Sequence, residues 1–155
     1  MCSTIVVGVW LSAGTATAQA SDPWIGTWRL NVARSSFNPG PPPRVQTIDI
    51  QSREGDGLHV VTNGVDAAGR PTHTERLAKF DGRDYPAQGF EQPTTQAFTR
   101  VDDRSYAIVS KAGGRIITRT RVTVSSDGRT MTTVTTGDVG QGPINNTQVL
   151  EKQTP

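Results

Sequence analysis

The chain has 155 residues, a hydrophobic content of 34% and a formal net charge of only +2. This length suits a single domain, and so low an apolar content predicts a core that is thin or partly hollow. Acidic residues are spread among the basic ones, and no basic block is interleaved with aromatic residues, so the composition argues against a nucleic-acid partner.

Residues 1–20 differ from the rest of the chain. They carry no charge, contain the apolar run Ile5–Leu11 and end in small residues at Ala18–Ala20. This pattern is typical of a secretory signal peptide, although no Lys or Arg precedes the run. We therefore expect a signal peptide, a mature domain over 21–155, and a secreted or periplasmic protein without stable membrane insertion. The only cysteine, Cys2, lies in the signal peptide, which predicts no disulfide and no thiolate chemistry.

The remaining chain predicts β-strands throughout. Alternating apolar residues over Trp24–Leu30 indicate a first strand, and Pro41–Pro43 then interrupt regular structure. Further strands are predicted over Val45–Arg53, Leu58–Val65, Arg70–Phe80, Thr94–Val101, Arg104–Lys111, Arg115–Val124, Arg129–Gly137 and Ile144–Lys152. Asp81–Pro86 is predicted as a charged β-turn, with Pro86 ending the next short strand. Even spacing with hairpin turns predicts an all-β, antiparallel up-and-down meander, closed into a barrel of about 8–10 strands that leaves no edge exposed.

Three segments carry a family resemblance: Gly26–Asn31, Phe80–Pro86 and Ser126–Thr132. Through them the chain resembles bacterial secreted lipocalin-like proteins of the lipocalin and fatty-acid-binding superfamily, the calycins. The resemblance implies a lipocalin-like barrel with a ligand in its lumen. It also implies that Trp28 closes one end of the barrel under a basic residue of the last strand, which is Lys152 here. The chain departs from the superfamily in lacking a disulfide and an obvious helix pair.

Tyr106, Arg119 and Arg121 form the candidate ligand-binding set. Two-residue turns on either side of the Arg115–Val124 strand predict that Tyr106 opposes Arg121 and that all three side chains share one face. If that face points inward, the set resembles the Arg/Arg/Tyr carboxylate site of fatty-acid-binding proteins. If the opposite face, with Val122, points inward, both arginines lie in water, where charged side chains usually stay. A β-bulge would shift this register.

His73, Glu75 and Tyr85 form the candidate catalytic set. Pairing across Asp66–Gly69 predicts that His73 and Glu75 share one face and that His59 lies on the other. A histidine beside a carboxylate is suited to acid–base chemistry, whereas the alternative is a solvated pair on the outer face of a strand. Histidines on opposite faces make a poor metal site. We predict no metal and no cofactor.

Three functions follow from these residues. The first is an extracytoplasmic barrel that holds a small apolar or amphipathic molecule, including one that bears a carboxylate. The alternative is a cofactor-free lyase or isomerase, which requires His73 and Glu75 within hydrogen-bond distance inside the lumen. The third is a structural or protein-binding envelope module, which requires a filled barrel and an exposed apolar patch.

Overall fold

The computed structural model describes residues 21–154, so the predicted signal peptide lies outside the described residues. Its strands are β1 (Gly26–Leu30), β2 (Val45–Arg53), β3 (Gly57–Val65), β4 (Pro71–Lys79), β5 (Asp84–Gln88), β6 (Thr94–Asp102), β7 (Ser105–Ala112), β8 (Arg115–Val124), β9 (Thr130–Asp138) and β10 (Pro143–Lys152). Each strand pairs with the next along the chain, and β10 pairs with β1 to close the barrel. This arrangement confirms the predicted all-β, up-and-down barrel. No helix in the described range is long and apolar enough to cross a membrane.

Strand β5 corrects one sequence prediction. We expected Asp81–Pro86 to be a turn, but Asp84–Gln88 forms a short strand with Pro86 inside it. Proline is tolerated where a strand lacks a full partner on one side. β5 pairs with β4 at only two positions, Glu75 and Arg76, so the missing amide of Pro86 interrupts no extended ladder. The strand is too short for its periodicity to show in the sequence.

The end of the barrel where β2 turns into β3 is filled by aromatic rings. The Trp24 ring packs edge-on against Tyr106, with 5.0 Å between centroids, and against Phe80 at 5.5 Å. The Arg100 guanidinium lies 4.7 Å from the Phe80 centroid and donates to the Asp22 carboxylate at 2.8 and 3.0 Å. Such stacking and ion pairing close this end to solvent.

Trp28 and Lys152 pair directly across β1 and β10. The indole is fully buried, and its Nε1 donates to the Trp24 carbonyl oxygen at 2.8 Å. Lys152 Nζ lies 5.2 Å from the centroid of the Trp28 ring. Gly26 allows this arrangement, because it has φ of 129° and an added Cβ would lie 3.0 Å from Lys152 Cε. Gly26 and Trp28 therefore both lie next to Lys152 of the last strand.

The predicted pairing of β7 with β8 is wrong by one residue. A bulge between Ser110 and Lys111 places Tyr106 opposite Val122 instead of Arg121. An extra residue in one strand changes the face on which every later side chain lies. Tyr106 and Val122 consequently point into the barrel, and Arg121 points outward. The pairing of β8 with β9, with Arg121 opposite Val134, is as predicted.

Gly137 of β9 makes room for this bulge. An added Cβ would lie 2.0 Å from the carbonyl oxygen of Ile117, the extra residue of β8. A side chain at this position is therefore incompatible with the bulged backbone. The bulge that shifts the register thus depends on Gly137 of β9. The residues of the β7–β8 hairpin do not reveal it.

The predicted pairing of β3 with β4 is wrong for a different reason. The backbone N of Asp66 donates to the carbonyl oxygen of Arg70 at 2.9 Å, so these two residues close the turn. The loop between them has three residues, whereas the predicted pairing assumed a different turn geometry. His73 therefore opposes Asn63, Glu75 opposes Val61, and His59 opposes Leu77. All these side chains share one face. It is the outer face, because Leu77 is 56% exposed while Val60 is buried.

Candidate ligand-binding cavity

The barrel contains a cavity of about 380 Å³. Small-molecule sites commonly have this size. Its floor, next to the aromatic end, is lined by the apolar side chains Ile48, Ile50, Val60, Ile108, Val122 and Met131. Nearer the mouth the walls are polar and consist of Gln46, Thr62, Thr72, Thr74, Thr94, Gln96, Ser110, Thr118, Thr120, Thr133, Thr135 and Gln148. Phe90, Ile117 and Val139 border the mouth. The barrel is therefore hollow.

Among residues 21–154, Arg76 is the one arginine or lysine in the cavity lining. It shares the inner face of β4 with Thr74 and Ala78, and it pairs with Val60 on the neighbouring strand β3. Loss of hydration lowers the pKa of Arg76 below its ordinary value, and the nearby Tyr106 phenol partly offsets this change. Its guanidinium donates to Thr74 Oγ1 at 3.3 Å, and Nε has no hydrogen-bond partner within residues 21–154. The cavity lining thus contains a half-buried cation whose hydrogen-bond donors the described chain satisfies poorly.

Sequence reasoning missed Arg76. The alternation of β4 does indicate its position, because Thr72, Thr74 and Ala78 lie on the same face of the strand as Arg76. Small residues with this period indicate an inner face that leaves room for a ligand. This alternation is ambiguous, because the apolar Leu77 lies on the opposite face, which points out of the barrel.

Tyr106 is the member of the predicted ligand set that faces the cavity. Its side chain is 3% exposed, and burial raises its pKa to about 12. The phenol therefore stays protonated at physiological pH and can donate a hydrogen bond. Tyr106 lies near enough to Arg76 for the two groups to influence each other's ionisation. Together they place two donors at the floor of the cavity.

Arg119 and Arg121 do not join Tyr106. Both are exposed on the outer face of β8. Arg121 Nη2 donates to Ser105 Oγ at 3.3 Å and lies 3.8 Å from Asp102 Oδ2. The carboxylate set expected from these two arginines is therefore not assembled, and the arginine that lines the cavity is Arg76 of β4.

The residues of the predicted acid–base set are not assembled in the lumen. His59 Nε2 lies 2.6 Å from Glu75 Oε1, and His73 Nε2 lies 3.9 Å from Glu75 Oε2. This cluster is on the outer face of the barrel. His73 reaches the rim of the cavity, but Glu75 does not line it. The expectation that His59 lies on the opposite face is wrong, and the pair is not in the position that a lumenal acid and base require.

Tyr85 lies in β5 and bonds the turn that precedes this strand. Its hydroxyl donates to Asp81 Oδ2 at 2.7 Å. This hydrogen bond raises the pKa of Tyr85, and the same bond lowers the pKa of Asp81. Tyr85 is not among the residues that line the cavity. Within residues 21–154, no group of three or more His, Cys, Asp or Glu side chains is arranged to hold a metal ion.

Three buried polar atoms in the cavity lining have no hydrogen-bond partner within the described chain. They are Thr62 Oγ1, Arg76 Nε and Gln96 Oε1. Buried polar groups in proteins are nearly always paired, so each exception calls for an explanation. Gln96 is fixed by its other end, because Nε2 donates to Ser110 Oγ at 3.0 Å. Its Oε1 is consequently an oriented acceptor beside the cavity.

Comparison with known proteins bears on the fold. No protein-family model matches the chain, and no curated protein matches it. Among solved structures, Rv2717c from M. tuberculosis matches with a TM-score of 0.57 and 12% identity, over 85% of this chain and 94% of that one. A mutant of the fluorescent protein UnaG matches with a TM-score of 0.56 and 13% identity, over 86% and 98%. These similarities, together with the ten-stranded barrel, are consistent with the calycin fold.

Proposed function

We propose that this protein is an extracytoplasmic small-molecule-binding barrel whose ligand is amphipathic and carries an acidic group. The observation that supports it is Arg76, a cation in the barrel cavity, whose lining within residues 21–154 includes no carboxylate. The extracytoplasmic location rests on the sequence of residues 1–20 alone.

The electrostatics of Arg76 favour an anion. An arginine keeps its charge in proteins, and an enclosed charge without a partner is costly. An anionic ligand removes that cost by supplying acceptors for Nε and the remaining guanidinium donors. The neutral Tyr106 phenol adds a further donor at the same level of the cavity.

The aliphatic floor and the apolar rim support an amphipathic ligand. Apolar walls with a few oriented polar groups are the usual composition of a small-molecule site. Here the polar groups orient the acid, while Phe90 and Val139, which are 39% and 41% exposed, offer apolar contact at the mouth.

The test compares an acid with its neutral analogue. We would titrate the protein calorimetrically with 4-(octyloxy)benzoic acid and with 4-(octyloxy)benzyl alcohol. A hydrogen-bonded charge contributes about 1.5–3 kcal/mol, so the acid should bind about 10- to 100-fold more tightly. Arg76→Met, which keeps an unbranched side chain and removes the charge, should abolish this difference. Arg119→Met, on the outer face of β8, is the matched control and should preserve it.

Equal affinity for the acid and the alcohol in the parent protein would overturn the proposal. So would an acid preference that survives Arg76→Met. The thermal unfolding midpoint of each variant shows that a lost preference is not caused by unfolding.

A further inference from the structure

The inner surface changes from apolar to polar along several strands at once. On β3 the inward residues run from Val60 to Thr62, and on β7 they run from Ile108 to Ser110. On β9 they run from Met131 to Thr133 and Thr135. The hydroxyl and amide groups therefore form a belt between the aliphatic floor and the mouth. We call the polar lining residues of this region the hydroxyl belt and represent it by Thr62, Gln96, Ser110, Thr120, Thr133 and Thr135.

Some members of the hydroxyl belt satisfy one another. Thr120 Oγ1 and Thr135 Oγ1 are 2.8 Å apart, and Gln96 Nε2 donates to Ser110 Oγ. These bonds hold the side chains in defined orientations. The acceptor of Gln96 and the hydroxyl of Thr62 are left without a partner in the described chain. Because an amide oxygen only accepts hydrogen bonds, Gln96 Oε1 calls for a donor on the ligand.

A plain alkyl chain fits this belt poorly. It would leave Thr62 Oγ1 and Gln96 Oε1, which are already buried, without hydrogen bonds, and each buried unpaired group carries a desolvation cost. A ligand with hydroxyl groups at this level removes that cost. Sites built to hydrogen-bond a hydroxyl discriminate strongly against the analogue that lacks it.

The sequence of surfaces along the cavity sets the order of groups on the ligand. Arg76 and Tyr106 near the floor favour an acid, the hydroxyl belt favours donors and acceptors next to it, and the apolar rim at Phe90 and Val139 favours a hydrocarbon end. From this order we infer that the ligand is a polyhydroxylated acid with one apolar end, of which an alkyl glycoside of a sugar acid is a chemical example. This inference rests on the proposed function, since it assumes that the acid binds Arg76.

The test uses two acids that share an octyl chain and a six-membered ring. Octyl β-D-glucuronide carries hydroxyl groups on the ring, and 4-(octyloxy)benzoic acid carries none. Two new hydrogen bonds to buried groups should give the glucuronide at least about tenfold tighter binding in calorimetric titration. Octyl β-D-glucoside, with the hydroxyl groups and no acid, should bind more weakly than the glucuronide by the factor that Arg76 supplies.

Two variants assign this preference to the hydroxyl belt. Gln96→Met and Thr62→Val remove the unpaired groups at nearly constant volume and should lower the preference for the glucuronide severalfold. Thr136→Val, on the exposed face of β9, should leave it unchanged. The affinity for 4-(octyloxy)benzoic acid should be maintained in all three variants, which shows that they are folded.

The possible failures are distinguishable. Equal affinity for octyl β-D-glucuronide and 4-(octyloxy)benzoic acid overturns the inference, and so does a preference for the glucuronide that survives both belt substitutions. In either case, an acid preference that depends on Arg76 leaves the proposed function standing. Equal affinity for the glucuronide and the glucoside overturns the proposed function, and the inference that rests on it.

Discussion

Arg76 donates to the side chain two residues earlier on β4, with 3.3 Å between its Nη1 and Thr74 Oγ1. Bonds of this length are weaker than the usual N–H···O bond. Arg100, at the aromatic end of the barrel, instead pairs with Asp22 and Asp56 at 2.8 Å. Carboxylates of the protein thus match the charge of Arg100, whereas the charge of Arg76 is open to a ligand.

Arg76 and Tyr106 should not make the affinity for an acid depend on pH near neutrality. Burial raises the pKa of Tyr106 to about 12, and arginine does not lose its proton in proteins, so neither group titrates near neutrality. Binding of 4-(octyloxy)benzoate should therefore be constant from about pH 6 to pH 9 and should weaken as the acid is protonated below about pH 4.5. Calorimetric titrations across this range check it. A marked loss of affinity between pH 7 and pH 9 would show that another group controls binding.

Tyr106→Phe should weaken acid binding without unfolding the barrel. The substitution removes one neutral donor, which corresponds to a loss of about 3- to 10-fold in affinity. Tyr85→Phe is the matched control, because its hydroxyl bonds Asp81 and Tyr85 does not line the cavity. It should leave the affinity unchanged. If both variants bind the acid as tightly as the parent, the Tyr106 hydroxyl has no part in the site.

His73→Ala and Glu75→Gln should leave acid affinity within about twofold of the parent, as is usual for surface positions. Both side chains lie on the outer face of β4, and the His59–Glu75 pair is accessible to solvent. Titration of both variants with the same acid checks this. Should a turnover assay be established, a rate loss of about 100-fold in either variant would support the acid–base function instead.

Trp28→Ala should cost about 3–5 kcal/mol in the free energy of unfolding, because a fully buried indole is lost. Lys152→Ala should cost only about 0.5–1 kcal/mol, the range of an exposed cation–π contact. Urea denaturation of the two variants measures this order. A Trp28→Ala protein as stable as the parent would mean that the ring does not close the barrel.

The exported protein should begin at or near Ser21, since Ala18–Ala20 match a signal-peptidase site. Intact-mass measurement of the protein recovered from the periplasm or medium gives the answer directly. Retention of Met1–Ala20 on folded, exported material would contradict the prediction.

The sequence by itself determined the order of the strands and all of them except β5. β2 and β8 begin and end at the predicted residues, because β-branched periodicity and the turns between strands are local properties of the chain. The Gly26–Trp28 triplet contains the ring whose centroid lies 5.2 Å from Lys152 Nζ.

Only the tertiary structure decided which side chains face the cavity. A slip of one residue exchanges the two faces of a strand, and the slips arose from a bulge admitted by Gly137 and from the closure of the Asp66–Arg70 turn. Neither is visible in the alternation of a single strand. Barrel closure, which selects the face that can be enclosed, therefore placed Arg76 inside and Arg119, Arg121 and Glu75 outside.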